Sequence, residues 1–189
     1  MAQCGIIVCG FADLARQTAI PPTHVMSILD PDVSVPPELA SFAPNQRLEL
    51  RFGDVIDEVP GVRPPNREDI GQLLSFARES LGPAAAAPHL LLHCHAGYSR
   101  SPAAALLAMA AAYPEMPAQQ AVDELWRIRP NIWPNLRVIE IGDQLLGRDE
   151  EIVRAVRKLY RQRLIKDPDL ARRMAGYGRA REVEAAKLA

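Results

Sequence analysis

Four short apolar runs in the first half of the chain have the length and composition of β-strands. They cover residues 5–9 (GIIVC), 23–29 (THVMSIL), 47–52 (RLELRF) and 89–93 (HLLLH). The third run alternates apolar and charged residues, which indicates one buried face and one wet face. The fourth has a continuous apolar centre, which is typical of a strand buried on both faces in the middle of an α/β sheet.

Segments with helical periodicity alternate with these strands. A brief helix is predicted at 11–18, and a longer one begins after the N-cap residue Asn66 and ends at Gly82. The helices that follow the last strand are predicted at 101–112, 118–129 and 135–146. This alternation predicts a three-layer α/β fold, with a central, mostly parallel sheet of four or five strands and helices on both faces.

The chain changes character near residue 148. The segment 149–189 is rich in charged residues, and an apolar stripe in its first part predicts an amphipathic helix. We therefore predict a domain over residues 1–148. A helical extension over 149–189 is expected to pack on this domain or to trail from it.

Composition limits the partners and the compartment. The 189 residues include 22 basic and 23 acidic ones, for a net charge of −1, so no overall positive field would hold nucleic acid or an anionic membrane. The longest apolar run, Ala103–Ala112, is much shorter than the roughly 20 residues of a spanning helix, and Met1–Gly10 lacks the basic start of a secretory signal. Three cysteines (Cys4, Cys9 and Cys94) are too few for a disulfide framework. We expect a cytoplasmic protein with no nucleic-acid or membrane partner; its oligomeric state is left open.

The segment with the clearest chemistry is 93–101, HCHAGYSRS, which joins the fourth strand to an Ala-rich helix. In open α/β sheets, ligands bind at this kind of junction. A helix N-terminus attracts anions, and Gly97 lets the loop curl its amides around a tetrahedral one. Arg100 can hold two phosphate oxygens, and the same field favours the thiolate form of Cys94. The segment therefore predicts a phosphate site with a cysteine nucleophile.

A metal site is a weaker interpretation of the same residues. His93, Cys94 and His95 do not supply the three or four convergent ligands that zinc needs, and Arg100 would repel the ion. We expect no metal and no other cofactor. Cys9, like Cys4, is most simply a small core residue, although a disulfide between Cys9 and oxidised Cys94 is a further hypothesis.

The loop HCHAGYSRS resembles the HCxxGxxR(S/T) loop of the cysteine-based protein tyrosine phosphatases, and it is most similar to their dual-specificity-like branch. Other segments are similar to that branch too: residues 23–28 (THVMSI), 50–54 (LRFGD) and 129–135 (RPNIWPN). The resemblance covers about residues 1–148. It implies hydrolysis of phosphomonoesters through a cysteinyl-phosphate intermediate, without a metal or other cofactor.

The resemblance also implies a role for each residue of the loop. Cys94 would be the nucleophile, Arg100 the phosphate clamp, and Ser101 a donor that eases the departure of the sulfur. His93 would lie behind the loop and fix its geometry. The cradle around the phosphate would be formed by the backbone amides of His95, Ala96, Gly97, Tyr98, Ser99 and Arg100.

Members of this family use an aspartic acid on a separate loop to protonate the leaving oxygen. Asp54 directly follows the third strand and is the preferred candidate, with Asp57 as the alternative. We recognise no segment like the one that forms the deep phosphotyrosine pocket of the large tyrosine-specific members. Phosphotyrosine and phosphoserine or phosphothreonine are therefore both open as substrates, in a phosphorylated protein or a small phosphomonoester.

Two other functions are compatible with the loop. One is a catalytically weak pseudophosphatase that binds phosphate groups and recruits phosphorylated partners; it would differ from the enzyme in lacking a working acid. The other is a rhodanese-like sulfurtransferase, which also places a cysteine in an anion-binding loop. Ser101 and His93 fit the phosphatases better than this second alternative.

Overall fold

A computed structural model describes residues 5–18, 22–81 and 89–189 of the protein. Four parallel strands form one sheet in the order β1-β4-β2-β3. The strands are β1 (Ile6–Cys9), β2 (His24–Leu29), β3 (Arg47–Arg51) and β4 (Leu90–His93). The α-helices of the described residues are α1 (Leu14–Gln17), α2 (Arg67–Leu81), α3 (Arg100–Ala112), α4 (Ala118–Ile128), α5 (Leu136–Leu146), α6 (Glu151–Lys166), α7 (Leu170–Gly176) and α8 (Ala180–Ala185). The predicted α/β class is confirmed.

Strand β4 lies inside the sheet, as its continuous apolar run predicts. Leu90 and Leu92 belong to the core beneath one face, and Leu91 belongs to a smaller core beneath the other. Leu90 pairs with Ile6 of β1 on one side and with His24 of β2 on the other. A strand in this position needs apolar side chains in both directions, which explains why its pattern does not alternate.

The two faces of the sheet carry unequal layers. Helices α2 to α5 form the layer over the larger core, and α3 lies at its centre, where all residues from Arg100 to Ala111 are buried. The small alanine side chains of α3 let the neighbouring helices α2, α4 and α5 pack closely on it. The opposite face is covered by α1 and short 3-10 turns, with Leu14 and Leu39 in its core. Helical cover exists on both faces, but one layer is thin.

Helix α2 begins where its N-cap residue predicts. The Asn66 side-chain oxygen accepts hydrogen bonds from the N–H groups of Glu68 and Asp69 at 2.9 and 3.0 Å. The Asp69 carboxylate accepts the Asn66 N–H in return at 3.0 Å. This reciprocal capping satisfies amides that would otherwise lack partners. The predicted helix end at Gly82 lies outside the described residues.

The segment that follows residue 148 packs on the rest of the molecule. Helices α6, α7 and α8 contribute apolar side chains to the same core as α3, α4 and α5; among them are Ile152, Val156, Tyr160, Leu170, Met174 and Ala185. The amphipathic helix predicted here is α6, and two short helices follow it. Residues on both sides of the boundary predicted near residue 148 therefore share one hydrophobic core. None of the helices described is long and apolar enough to cross a membrane.

All four strands end at the same edge of the sheet because they run parallel. The residues that follow them, Gly10, Asp30, Phe52 and Cys94, therefore meet at that edge. Ligands of open α/β sheets bind at the carboxyl ends of the strands. This edge is where the predicted site residues are brought together.

Candidate active site

The loop between β4 and α3 has backbone amides with no hydrogen-bond acceptor in the described part of the protein. In the described part of the chain, none of the N–H groups from His95 to Arg100 donates a hydrogen bond to a protein acceptor, whereas all five carbonyls from His95 to Ser99 accept one. The donors to these carbonyls are the N–H groups of Phe11, Trp133, Ala103 and Asn135 and the guanidinium of Arg129. Consecutive amides that lack partners form a nest for an anion.

Two glycines allow the loop to take this shape. Gly97 has a φ of 65°, in the left-handed region that other residues avoid, and a Cβ there would lie 2.5 Å from the Cys9 carbonyl carbon. A Cβ on Gly10 would lie 2.6 Å from the carbonyl carbon of Ala96. The end of β1 therefore packs backbone against backbone on the loop.

Cys94 is the first residue of the loop, and only 2% of its surface is exposed. The Ser101 hydroxyl, in the first turn of α3, donates a hydrogen bond to Cys94 Sγ at 3.2 Å. A hydrogen bond to sulfur is stronger when the sulfur is charged, so this contact favours a negative charge there. Ser101 thus stands where the resemblance implies it.

His93 is fully buried behind the loop, with its Nε2 atom 2.7 Å from the Ser27 hydroxyl on β2. Burial lowers the pKa of His93 to about 4, although the backbone of Cys94 acts in the opposite direction. The imidazole is therefore neutral at physiological pH. Its contact with Ser27 holds the end of β4, from which the loop departs.

Arg100, the first residue of α3, is buried and is held by two of its three edges. Asp30 accepts from Nη1 at 2.9 Å and from Nη2 at 3.2 Å, and the Phe52 carbonyl accepts from Nη1 at 2.7 Å. The Nε atom is buried without a partner among the described residues. The edge formed by Nε and Nη2 is therefore left for a ligand, and an oxyanion that accepts from it would satisfy the buried donor.

Asp54 contacts the loop between β4 and α3, whereas Asp57 lies elsewhere and contacts Arg181. The Asp54 Oδ1 atom accepts from the Ser99 hydroxyl at 2.7 Å and from the Asn135 side-chain amide at 2.8 Å. Asp57 is exposed, and its Oδ1 accepts from Nε of Arg181 at 2.8 Å. The structure therefore brings Asp54, the preferred acid, against the loop that holds Cys94.

The side chains of His95 and Tyr98 lie on the outside of the loop. His95 is exposed, and its ring centroid is 5.1 Å from that of Phe11. Tyr98 is half-buried, and burial raises the pKa of its hydroxyl. Together with Arg129, Tyr98 lines a cleft of about 840 Å³. Because Arg129 donates to the loop carbonyls, this cleft adjoins the carbonyl side of the loop rather than its free amides.

Cys9 lies at the end of β1, beside the loop, and is fully buried. Burial raises the pKa of its thiol to about 12, so the thiol is neutral at physiological pH. Because the thiolate is the reactive form, this environment does not favour attack by Cys9 on oxidised Cys94. The disulfide hypothesis stays a prediction, and Cys4 lies outside the described residues.

Four residues of the site are missing from the candidates that the sequence supplies: Asp30, Arg129, Asn135 and Arg179. Asp30 carries a usable signal, since it directly follows a strand and so lies at the ligand edge of the sheet. Arg129 and Asn135 stand in the segment RPNIWPN; Arg129 braces the loop carbonyls, and Asn135 joins Asp54 to the N-terminus of α5. Arg179 comes from the extension, and no pattern in the sequence points to it.

No protein-family model matches the chain, and no curated protein matches it in sequence. Several solved structures match its fold. The PTP-2 phosphatase of Cydia pomonella has a TM-score of 0.57 and 19% identity, and the match covers 74% of this chain and 84% of that one. The Yvh1 phosphatase domain from Chaetomium thermophilum has a TM-score of 0.56 and 19% identity, with 80% and 95% covered. For DUSP15 the TM-score is 0.53 and the identity 18%, with 81% and 90% covered.

These similar structures are tyrosine and dual-specificity phosphatases. The segment HCHAGYSRS of this chain resembles the loop of that same class. The four-stranded parallel sheet of this chain and the helices that flank it match the fold of these structures. The expected fold family is therefore confirmed: the chain has the fold of the cysteine-based protein tyrosine phosphatases in its dual-specificity-like form.

Proposed function

We propose that the protein is a phosphomonoester hydrolase, a cysteine-dependent and metal-independent protein tyrosine or dual-specificity phosphatase. The observation that carries the proposal is a cysteine placed beside a set of hydrogen-bond donors that have no protein acceptor among the described residues. Cys94 begins a loop of unpaired amides, and Arg100, which ends it, has a buried and unpartnered Nε. A phosphoryl group offers oxygens to both sets of donors. Amides and guanidinium would supply the positive charge that metal ions supply in other phosphoryl-transfer sites.

In the first step, Cys94 Sγ attacks phosphorus as a thiolate, and the bond from phosphorus to the leaving oxygen breaks in line with it. The loop amides and Arg100 hold the equatorial oxygens. Asp54 gives its proton to the leaving oxygen, so an alcohol or phenol departs and a cysteinyl-phosphate remains. The Asp54 Oδ2 atom, which has no hydrogen bond within the described residues, is available to carry that proton.

In the second step, water attacks phosphorus and the bond from sulfur to phosphorus breaks. The Asp54 carboxylate takes a proton from the water, and inorganic phosphate is released. The sulfur leaves as a thiolate, which the Ser101 hydrogen bond stabilises. Asp54 is then protonated again, and no reactant besides the phosphomonoester and water is consumed.

Hydrolysis of p-nitrophenyl phosphate in the presence of a metal chelator tests this proposal. We expect a rate that the chelator leaves unchanged and that vanadate, a phosphate analogue, inhibits. A panel of phosphotyrosine, phosphoserine and phosphothreonine peptides, with a nucleotide and a phosphoinositide, then defines the substrate class. Binding of phosphopeptides without turnover would support the pseudophosphatase alternative, and sulfur transfer from thiosulfate would support the sulfurtransferase.

Asp54→Asn is expected to lower kcat for p-nitrophenyl phosphate about 10²-fold. It should also remove the alkaline limb of the pH profile, because that limb reports the loss of the proton that the acid must donate. Asp57→Asn is the matched control: it removes the same charge from the same loop, at a side chain that contacts Arg181. Steady-state kinetics across the acidic and neutral pH range measure both effects. If the alkaline limb is lost in Asp57→Asn and kept in Asp54→Asn, Asp57 and not Asp54 is the general acid.

A further inference from the structure

We propose that Arg179, supplied by the C-terminal extension, is a positioning residue of the active site that holds Asp54 and Ser99 in the arrangement used for proton transfer. The proposal rests on the proposed function, because it assigns Arg179 a task only if Asp54 acts as an acid. It makes the extension a part of the catalytic site.

The contacts of Arg179 connect segments that are far apart in the sequence. Arg179 directly precedes α8, and only 5% of its surface is exposed. Its Nη2 donates to the Ser99 hydroxyl at 3.1 Å, and its Nη1 donates to Asp54 Oδ1 at 3.3 Å. One guanidinium thus contacts both the loop between β4 and α3 and the segment after β3 that carries Asp54.

A buried carboxylate holds Arg179 in this place. Glu182, one turn further along α8, has no exposed surface, and its Oε1 accepts from Nη2 of Arg179 at 2.6 Å and from the Leu136 N–H at 2.9 Å. Its Oε2 accepts from the indole of Trp133. Glu182 therefore ties α8 to the start of α5 and fixes the guanidinium from behind.

Arg179 remains charged although it is buried. Burial lowers the pKa of its guanidinium, but the Glu182 and Asp54 carboxylates more than offset this, so the pKa is raised overall. Glu182 also has three other donors, the Trp133 indole, the Leu136 N–H and the Tyr160 hydroxyl. A buried ion pair is weak evidence for stability, because desolvation opposes the Coulombic gain. The contacts of Arg179 with Ser99 and Asp54 are therefore better explained by their effect on the site.

The effect of these contacts is to fix one oxygen of Asp54 and leave the other free. Ser99, Asn135 and Arg179 all donate to Oδ1. The Ser99 hydroxyl both donates to Asp54 and accepts from Arg179, so the three side chains form a closed triangle. Loss of Arg179 would remove two of the three hydrogen bonds of this triangle and let the Asp54 carboxyl turn away from the leaving oxygen.

The test compares two aryl phosphates that differ in the need for an acid. Phenyl phosphate has a basic leaving group that requires protonation, whereas a fluorinated umbelliferyl phosphate has a leaving group that departs without it. For Arg179→Gln we expect kcat/KM to fall about tenfold to a hundredfold with phenyl phosphate and to stay nearly unchanged with the fluorinated substrate. This parameter covers the steps up to departure of the leaving group and leaves out the later hydrolysis of the cysteinyl-phosphate, in which Asp54 acts as a base with either substrate. In an Asp54→Asn background, the same replacement should cause no further loss with phenyl phosphate.

Two further variants separate positioning from a general effect on folding. Arg172→Gln removes an exposed arginine of α7 that pairs with Asp169. Its kcat/KM values for the two aryl phosphates should equal those of the parent. Arg179→Lys keeps the charge beside Glu182 but has no fork with which to span Ser99 and Asp54, so it should show the same selective loss. If Arg179→Gln fails to fold, Arg179→Lys provides the same test in its place.

The outcomes distinguish this inference from the proposed function. If the parent protein hydrolyses neither substrate, the proposed function fails. If the parent is active and Asp54→Asn is selectively slow with phenyl phosphate, the proposed function stands and Arg179 is tested on its own. Unchanged kcat/KM values in the folded Arg179 variants, or equal losses of kcat/KM with both substrates, would overturn the positioning role.

Discussion

Replacement of Cys94 by serine should lower kcat by at least about 10⁴-fold while phosphopeptide binding persists. Serine has nearly the same size and keeps the loop amides in place, but its hydroxyl is not ionised in the way the mechanism needs. The proposed anion site consists of backbone N–H groups and Arg100, and neither is changed by this replacement. Turnover of p-nitrophenyl phosphate and calorimetric titration with a phosphotyrosine peptide measure the two properties separately.

Cys9→Ala is the matched control for this prediction. It removes the other described thiol, a buried one beside the loop, and we expect the rate of the parent. Full activity in Cys94→Ser would remove Cys94 from the mechanism. Loss of both turnover and binding, in a variant that still unfolds at the parent temperature, would show that the sulfur helps to bind the anion as well as to attack it.

Arg100→Lys is expected to lower kcat/KM about 10³-fold, which corresponds to about 4 kcal/mol of transition-state stabilisation. Asp30 and the Phe52 carbonyl hold the guanidinium so that its Nε and Nη2 edge remains for the phosphoryl oxygens. An ammonium is a point charge without such an edge, so it neutralises the phosphate but does not hold two oxygens in a fixed geometry. Both kcat and the affinity for vanadate should fall.

Arg78→Lys is a suitable comparison, because Arg78 is an exposed arginine of α2 and its replacement should change neither kinetics nor stability. A thermal melt of Arg100→Lys shows whether the folded state persists. If Arg100→Lys keeps the parent kcat/KM, the guanidinium edge is not used, and the amides alone hold the phosphoryl group.

The central part of the site can be predicted from the sequence because it is local. The apolar run of β4, the glycine at position 97 and the arginine that begins α3 lie within a dozen residues, and each follows from a rule about neighbouring positions. The loop therefore forms as expected, with Ser101 on the Cys94 sulfur and His93 buried behind it. Asp54 is also brought to the loop, because it lies three residues after β3, which ends at the same edge of the sheet.

The remaining part of the site depends on contacts between distant segments. Arg179 reaches Asp54 only because α8 packs against α5 through Glu182. The sequence from 179 to 185, with charged residues at Arg179, Arg181 and Glu182, looks like that of a solvated helix. In the sequence, a buried ion pair and a surface ion pair look the same. The sequence also does not predict that the layer over the second face of the sheet is thin, because the short 3-10 turns that form much of it have no extended periodicity.

Trapping the covalent intermediate tests the central claim most directly. The Ser101→Ala variant removes the hydrogen bond to Cys94 Sγ, so the second step should slow and the phosphoenzyme should accumulate in a reaction with p-nitrophenyl phosphate that is quenched within the first turnovers. Mass spectrometry of the peptides should then find one phosphoryl group per chain, on the sulfur of Cys94. A phosphoryl group on His93 or His95, or rapid turnover with unmodified Cys94 at every quench time, would contradict the mechanism.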